Sequence, residues 1–327
     1  MTRHVPLCRI VAFALLTLAP GVASAAAADA YPSRPIRMIV PFPPGGGTDL
    51  IARLIQPAMT SALGQQVVID NRGGAQGTLG TDIAAKSVPD GYTIVIAEIG
   101  ATAVAPALIP KLPFSVAKDF APITMLTQQP YVLSVHPSVP VRSFQELGKY
   151  AQSKAGGLNY GSGNTTVHVG QELLFRTASL KMTHIPYRGS GPAMAALLGN
   201  EVQVLLSGPA AALPQAKAGK IRSIAVTSLK RTAELPDVAT LDEQGLKGFE
   251  IRGWYGLMAP VAVPKPVIAR LNAELGKILS DGPVAKQFRD RGFEPAPTTP
   301  EEFGMYLRSE LARWSKAVKD YGITSSE

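Results

Sequence analysis

Apolar and polar positions change period in a repeating order along the first part of the chain. Residues Ile36–Val40, Ile-Arg-Met-Ile-Val, read as a strand, and Leu50, Ile51, Leu54, Ile55 and Ala58 then recur at helical spacing. A strand at 66–70, a helix at 81–86 and a strand at 92–97 continue the alternation, which is the rhythm of a parallel sheet with helical crossovers. A second set follows, with strands at 131–135, 182–186, 202–206 and 221–227 and helices at 169–178 and 192–198. Residues 253–260 read as a strand crossing back to the first set, because the remainder has only helical spacing: Val267, Ile268, Leu271, Leu275 and Ile278, then Phe303, Leu307, Leu311, Trp314 and Val318. The last helix has a clear start, with Thr299 placed to cap it, Pro300 at its first position and Glu302 completing a capping box. Pro57 is expected to kink the first helix, since it removes one backbone hydrogen bond.

This pattern predicts an α/β protein of two lobes, each a mainly parallel sheet flanked by helices, joined by a two-strand hinge. Residues 31–130 together with 252–327 are assigned to the first lobe and 131–251 to the second; Trp254 and Trp314 are read as core or hinge. Ligands of parallel sheets gather beyond the carboxyl ends of the strands. That places the loops at 44–49, 71–77 and 98–102 on one rim and those at 161–166, 187–191 and 207–209 on another.

The leader changes the picture of where the chain works. Arg3 and Arg9 flank a short apolar run from Ile10 to Leu18, and Ala23-Ser24-Ala25 supplies small residues for cleavage, so residues 1–25 read as a secretory signal peptide, with a cut as late as residue 30 also compatible. The single cysteine, Cys8, falls within that leader, so an exported mature chain without disulfides is expected. About 300 mature residues suit two cores rather than one. The precursor carries a net charge of +8, and loss of the two leader arginines leaves +6. The basic residues are spread rather than clustered, which argues against nucleic acid and a polybasic membrane contact, and no apolar run after the leader is long enough to span a bilayer, so stable membrane insertion is not expected.

Two loops carry the candidate chemistry. Pro41-Phe42-Pro43-Pro44-Gly45-Gly46-Gly47-Thr48-Asp49 joins the first strand to the first helix, and its glycines let backbone N–H groups at a helix N-terminus approach an anion. Tyr160-Gly161-Ser162-Gly163-Asn164-Thr165-Thr166-Val167-His168 repeats that design in the second lobe. Asp49 has two readings, a charge complementing the helix dipole or an orienting group and ligand contact. Ser162, Thr165 and Thr166 suit helix caps and ligand contacts alike. His168 reads equally as a structural histidine or a ligand contact, whereas His184 and His136 read as structural. Ser207 and Gly208 end a strand and are expected to line the cleft. A metal site, a cofactor site and a catalytic nucleophile have no support: Ser162 and Ser190 both fail the G-x-S-x-G pattern, and Leu50 stands where a third glycine would complete a dinucleotide fingerprint.

Tyr31-Pro32-Ser33-Arg34-Pro35-Ile36, the triglycine loop, Asn71-Arg72-Gly73-Gly74-Ala75-Gln76-Gly77, Pro89-Asp90-Gly91-Tyr92, Pro186-Tyr187-Arg188-Gly189, Glu234-Leu235-Pro236-Asp237-Val238 and Trp254-Tyr255-Gly256 occur in an order that resembles the periplasmic solute receptors of tripartite tricarboxylate transporters, the Bug-type proteins. The resemblance implies a two-lobed Venus-flytrap fold of the periplasmic-binding-protein kind and a small carboxylate ligand passed to membrane permease subunits by a monomeric receptor. It implies a first wall of Phe42, Pro44, Gly45, Gly46, Thr48 and Asp49 and an opposing wall of Ser162, Asn164, Thr165, Thr166 and His168. Glu98 departs from the small polar residues usual at its position; facing the cleft, its carboxylate would repel a second ligand carboxylate and favour an amino, amide or hydroxyl group. A ligand-presenting sensor and a secreted hydrolase are the alternative functions.

Overall fold

The computed structural model describes residues 31–323, so the signal-peptide assignment and Cys8 lie outside the described residues. The first sheet begins as the sequence pattern predicts. Strand β1 (Ile36–Val40) leads into helix α1 (Gly47–Leu63), β2 (Val67–Asn71), α2 (Thr78–Ala85) and β3 (Thr93–Glu98). Both β2 and β3 pair parallel with β1, so the carboxyl ends of all three strands share one edge. β3 is a continuous apolar run because it is an inner strand, with Ile94, Val95, Ile96 and Ala97 all buried. Helix α1 buries the stripe Ile51, Ile55, Met59 and Leu63, and it continues through Pro57, whose exposed ring points away from that stripe.

After β3 the chain makes a π-type turn (Gly100–Val104) and two short helices, α3 (Ala105–Leu108) and α4 (Val116–Asp119), before the eleven-residue strand β4 (Phe120–Pro130). One residue later β5 (Val132–Val135) begins the second sheet. That sheet is completed by α5 (Phe144–Ser153), β6 (Asn159–Ser162), α6 (Thr165–Thr177), β7 (Thr183–Pro186), α7 (Ser190–Leu198), β8 (Val204–Ser207), α8 (Pro209–Lys217) and β9 (Arg222–Val226). Strand β10 (Arg252–Pro260) returns to the first sheet, followed by α9 (Lys265–Ser280), α10 (Pro283–Arg289), a two-residue strand β11 (Glu294–Pro295) and α11 (Pro300–Tyr321).

The strand orders are β11-β4-β10-β3-β1-β2 and β7-β6-β8-β5-β9. Both sheets are mixed rather than mainly parallel. β10 runs antiparallel to β3 and β4, and β5 runs antiparallel to β8 and β9, because strands at the crossings enter each sheet from the opposite end. The strand β11 also interrupts the expected all-helical tail. The capping box of α11 forms as anticipated: Thr299 Oγ1 accepts from the Glu302 N–H, and Glu302 returns the bond to the Thr299 N–H. None of the described helices is long and apolar enough to cross a membrane.

Helix α11 lies along β4 and carries a buried polar junction. Glu310 Oε2 accepts from the indole N–H groups of Trp254 (3.3 Å) and Trp314 (3.1 Å), while Arg313 Nη1 donates to Oε1 (3.1 Å). Both tryptophans are fully buried, so the junction ties the return strand to the C-terminal helix inside the core. Leaving a buried donor unsatisfied costs about 1–3 kcal/mol. Replacement of Glu310 by Leu is expected to lower unfolding free energy by about 2–4 kcal/mol in a urea titration, since two indoles lose their acceptor; an unchanged midpoint would contradict this role.

Candidate ligand-binding cleft

The parallel register of β1, β2 and β3 brings the triglycine loop, the Arg72-Gly73-Gly74 segment and Glu98 to one edge of the first sheet. In the second sheet β6 pairs parallel with β7 and β8, so Ser162, Tyr187 and Ser207-Gly208 leave their strands along a common edge as well. These edges meet. The Thr165 N–H at the start of α6 donates across to Gln76 Oε1 of the first lobe (3.1 Å). A Cβ at Gly100 would stand 2.6 Å from Glu98 Oε1 and 2.8 Å from Thr166 Oγ1, which puts groups from both lobes around one point and explains why a glycine stands there.

The first wall is a helix N-terminus that no side chain caps. Its N-cap residue is Gly46, and Gly45, Gly46 and Gly47 are all exposed, whereas Thr48 and Asp49 are buried. The unpaired N–H groups of a helix's first turn carry partial positive charge. Asp49 orients this loop rather than opening it to a ligand, since both its oxygens are engaged. Oδ2 accepts from the Gly45 N–H (3.0 Å) and from Arg53 Nε (2.8 Å), and Oδ1 accepts from Asn71 Nδ2 (3.0 Å). Burial pushes the Asp49 carboxyl up, but Arg53, Gly45 and Asn71 together outweigh it and hold the group below the usual carboxylate range. The Asn71 amide also donates to the Phe42 carbonyl (3.1 Å), which staples the first loop to the end of β2. Phe42 packs against Gly77, and Pro44 is exposed on the rim.

Antiparallel pairing supplies the floor. Tyr255 on β10 faces Glu98 on β3 and Thr127 on β4, and Gly253 faces Gln129, so Glu98, Tyr255 and Gln129 share one sheet face. A Cβ at Gly47 would stand 2.6 Å from the Tyr255 hydroxyl, so this phenol reaches the mouth of α1. Gln129 and Tyr131 both approach Gly253, and Gln129 lies beside Gly208 of the second lobe. Glu98 Oε1 accepts from the Ala101 N–H (2.7 Å). Burial pushes the Glu98 carboxyl above its ordinary value, against the opposing pull of the Gly100 and Ala101 N–H groups. Burial, reinforced by Glu98, also raises the Tyr255 phenol. Gln129 Oε1, Thr166 Oγ1 and Ser207 Oγ are buried with no partner within the described residues.

The predicted residues thus divide. Glu98 and Thr166 meet at Gly100, Thr48 hydrogen-bonds Tyr255, Gly208 lies beside Gln129, and Ser207 is buried at the end of β8. Asn164 caps α6, its Oδ1 accepting from the Val167 N–H (2.9 Å). Ser162 and His168 belong to an internal cluster of the second lobe. Ser162 Oγ stands 2.7 Å from His184 Nε2, and the two imidazoles stack at 3.9 Å with planes 10° apart. Beside them the Tyr160 hydroxyl donates to Glu172. Gln129, Tyr131 and Tyr255 escaped sequence reasoning; the alternation of β10, with buried Trp254 in the core and Tyr255 on the other face, was the available signal.

Burial lowers the pKa of both imidazoles, His184 to about 4 with help from its neighbour His168. Both rings are neutral at neutral pH. Their folded values lie below the unfolded value near 6.5, so protonation favours the unfolded chain and their contribution to stability is lost as pH falls from 6.5 towards 4. A His184→Asn variant is therefore expected to lose less stability than the wild type between pH 6.5 and 5 in urea titrations. Parallel pH profiles would contradict this.

The geometry has close counterparts. Residues 51–323 match the model of the tripartite tricarboxylate transporter family receptor. Protein BugT of Bordetella pertussis is 35% identical over 305 residues, covering 92% of this chain and 94% of its own. Among solved structures, a Rhodopseudomonas palustris protein with adipate superposes with a TM-score of 0.84 at 33% identity, covering 90% of this chain and 99% of its own. MatC from Rhodopseudomonas palustris, with bound malate, gives a TM-score of 0.80 at 33% identity, covering 88% and 100% respectively. The fold is the two-lobed one of periplasmic binding proteins, and the chain belongs to the tripartite tricarboxylate transporter receptor family.

Proposed function

We propose that the protein is a periplasmic receptor that captures a small carboxylate between its lobes and delivers it to the membrane permease subunits of a tripartite tricarboxylate-type transporter. The observation that carries this reading is the uncapped N-terminus of α1, which lies at the strand edge beside Tyr255, a residue on the same sheet face as Glu98 and Gln129. A ligand carboxylate accepts from the N–H groups of the first turn, where the helix dipole favours negative charge. The polar groups of Thr166, Ser207 and Gln129 complete the enclosure and are satisfied by the ligand, which offsets the cost of burying them. Adipate and malate in the solved relatives support a carboxylate as the recognised group.

Capture is a population shift. Thr48, Glu98 and Tyr255 belong to the first sheet's edge, Thr166 and Ser207 to the second's, and a ligand touching both sets binds the closed arrangement better than an open one. The Gln76–Thr165 contact is one that closure makes and opening breaks. The permease then distinguishes loaded from empty receptor by the closed surface. No nucleophile activation is required of these residues, and the buried serine–histidine contact of the second lobe, Ser162 with His184, uses an imidazole whose pKa of about 4 makes it a poor base.

Isothermal titration against succinate, malate, adipate and glutamate, with the corresponding amides and a neutral sugar as controls, tests the reading. At least one carboxylate is expected to bind at least tenfold more tightly than its amide. Gly47→Ala, whose new methyl meets the Tyr255 hydroxyl at the mouth of α1, is expected to weaken that binding at least tenfold. Binding of the sugar with none of the carboxylates would contradict the proposal.

A further inference from the structure

Glu98 is the unusual member of the cleft. It ends β3 at the shared edge, opposite Tyr255, and its Oε1 lies beside the same Gly100 position as Thr166 Oγ1 of the other lobe. Part of the residue borders the cleft, yet the carboxyl is buried deeply enough for desolvation to raise its pKa. Its surroundings are the Gly100 and Ala101 N–H groups and the phenols of Tyr255 and Tyr131. None of the ion pairs formed among the described residues includes it: the acidic partners nearest in the fold, Asp49 and Asp70, have Arg53, Arg37 and Arg72, whereas no lysine, arginine or histidine acts on Glu98. A buried carboxyl without a cation is costly unless something supplies one.

Beyond the two N–H groups that bind it, the cleft holds buried polar atoms with no partner among the described residues. Gln129 Oε1 is an acceptor only, buried and unpartnered, on the same sheet face as Glu98. Thr166 Oγ1 and Ser207 Oγ, also buried and unpartnered, can accept as readily as donate. The cleft therefore has two chemical ends: N–H donors at the start of α1, and the Glu98 carboxyl with the Thr166 hydroxyl beside it and Gln129 on the same sheet face. A plain dicarboxylate matches the first end and is repelled by the second.

We propose that Glu98 is the specificity-determining residue of the cleft, pairing with a positively charged amine on the ligand, so that the solute is a carboxylate that also carries an ammonium group. This rests on the carboxylate-receptor reading above and narrows its substrate class. The ammonium places its N–H donors on Glu98, Gln129 and the Thr166 hydroxyl while the carboxylate of the same molecule occupies the mouth of α1. Burial that penalises Glu98 alone is offset in the complex by the paired charge. The Glu98 end then discriminates by both attraction and repulsion, since an uncharged or anionic substituent leaves Glu98 buried without a partner.

Matched ligands isolate this effect. Isothermal titration of the full mature protein with L-aspartate against succinate, L-glutamate against glutarate and 6-aminohexanoate against adipate reads the amine preference in the wild type, without any variant. At least one amine-bearing member is expected to bind at least tenfold more tightly than its partner. Glu98→Gln keeps an acceptor for the Ala101 N–H but removes the charge; it is expected to reduce that preference at least tenfold and to raise affinity for the plain dicarboxylate. Equal or tighter binding of the dicarboxylates by the wild type, or an unchanged preference in Glu98→Gln, overturns the role of Glu98 and leaves the carboxylate receptor standing. Binding of no probe in either class overturns both.

Discussion

The N-terminus of α1 is the constraint on which the rest depends. A helix that starts on Gly46-Gly47 at the carboxyl edge of a sheet has N–H groups that its own side chains do not satisfy. Much of the neighbouring sequence holds it in that state. Asp49, the natural candidate to fold back as a cap, is instead occupied by Gly45, Arg53 and Asn71. Tyr255 reaches the same point from β10 and approaches Gly47 so closely that no side chain fits there. By contrast, α6 is capped by Asn164, and its first N–H is bonded to Gln76. The two facing helix ends look alike in sequence but have different duties: one presents free donors, the other is satisfied and offers the Thr166 hydroxyl.

Local patterning made the outer parts of the fold legible. β1, β3 and β10 were recognisable from their apolar runs, and α11 from Thr299-Pro300 and Glu302, because each depends on residues within a few positions of one another. Four strands of the second sheet, β5, β7, β8 and β9, lie within two residues of the bounds read from the sequence, whereas β6, Asn159–Ser162, carries no apolar run and was read as loop. What local pattern could not supply was pairing over distance. β4 spans Phe120–Pro130 with Thr124, Thr127 and Gln129 among its buried residues, a polar content that disguised an inner strand. Its register with β10 brings Gln129 and Tyr255 to the floor, and the mixed character of both sheets follows from the same antiparallel crossings.

The candidate site was legible to the extent that it is made of loops with a shared grammar. The loops that hold Gly45, Gly46, Thr48, Thr166, Ser207 and Gly208 follow from strand-end placement, and the individual residues of the two walls from the family resemblance. Ser162 and His168 were misdirected by the same logic, since the stacked pair with His184 lies 16 residues apart in sequence and forms only once β6, β7 and α6 pack. Glu98 stood out by its charge, and the sequence suggested its repulsive effect on a second carboxylate. Its isolation from every cation, which changes repulsion into a preference, is a property of the folded chain.

The energetic sense of the arrangement is that hydroxyl and amide groups are buried at the cleft without partners while the junctions beneath it are paired. Glu310 satisfies two indoles, and Thr124 bonds across to Thr298, but Thr166, Ser207 and Gln129 remain unmatched among the described residues. Hydrogen exchange followed by mass spectrometry, with and without the tightest carboxylate found by titration, tests whether one solute satisfies both lobes. The account predicts that the ligand slows exchange of the amides at 46–49 and at 165–167 together. Protection confined to one of these segments, or falling on neither, would contradict it.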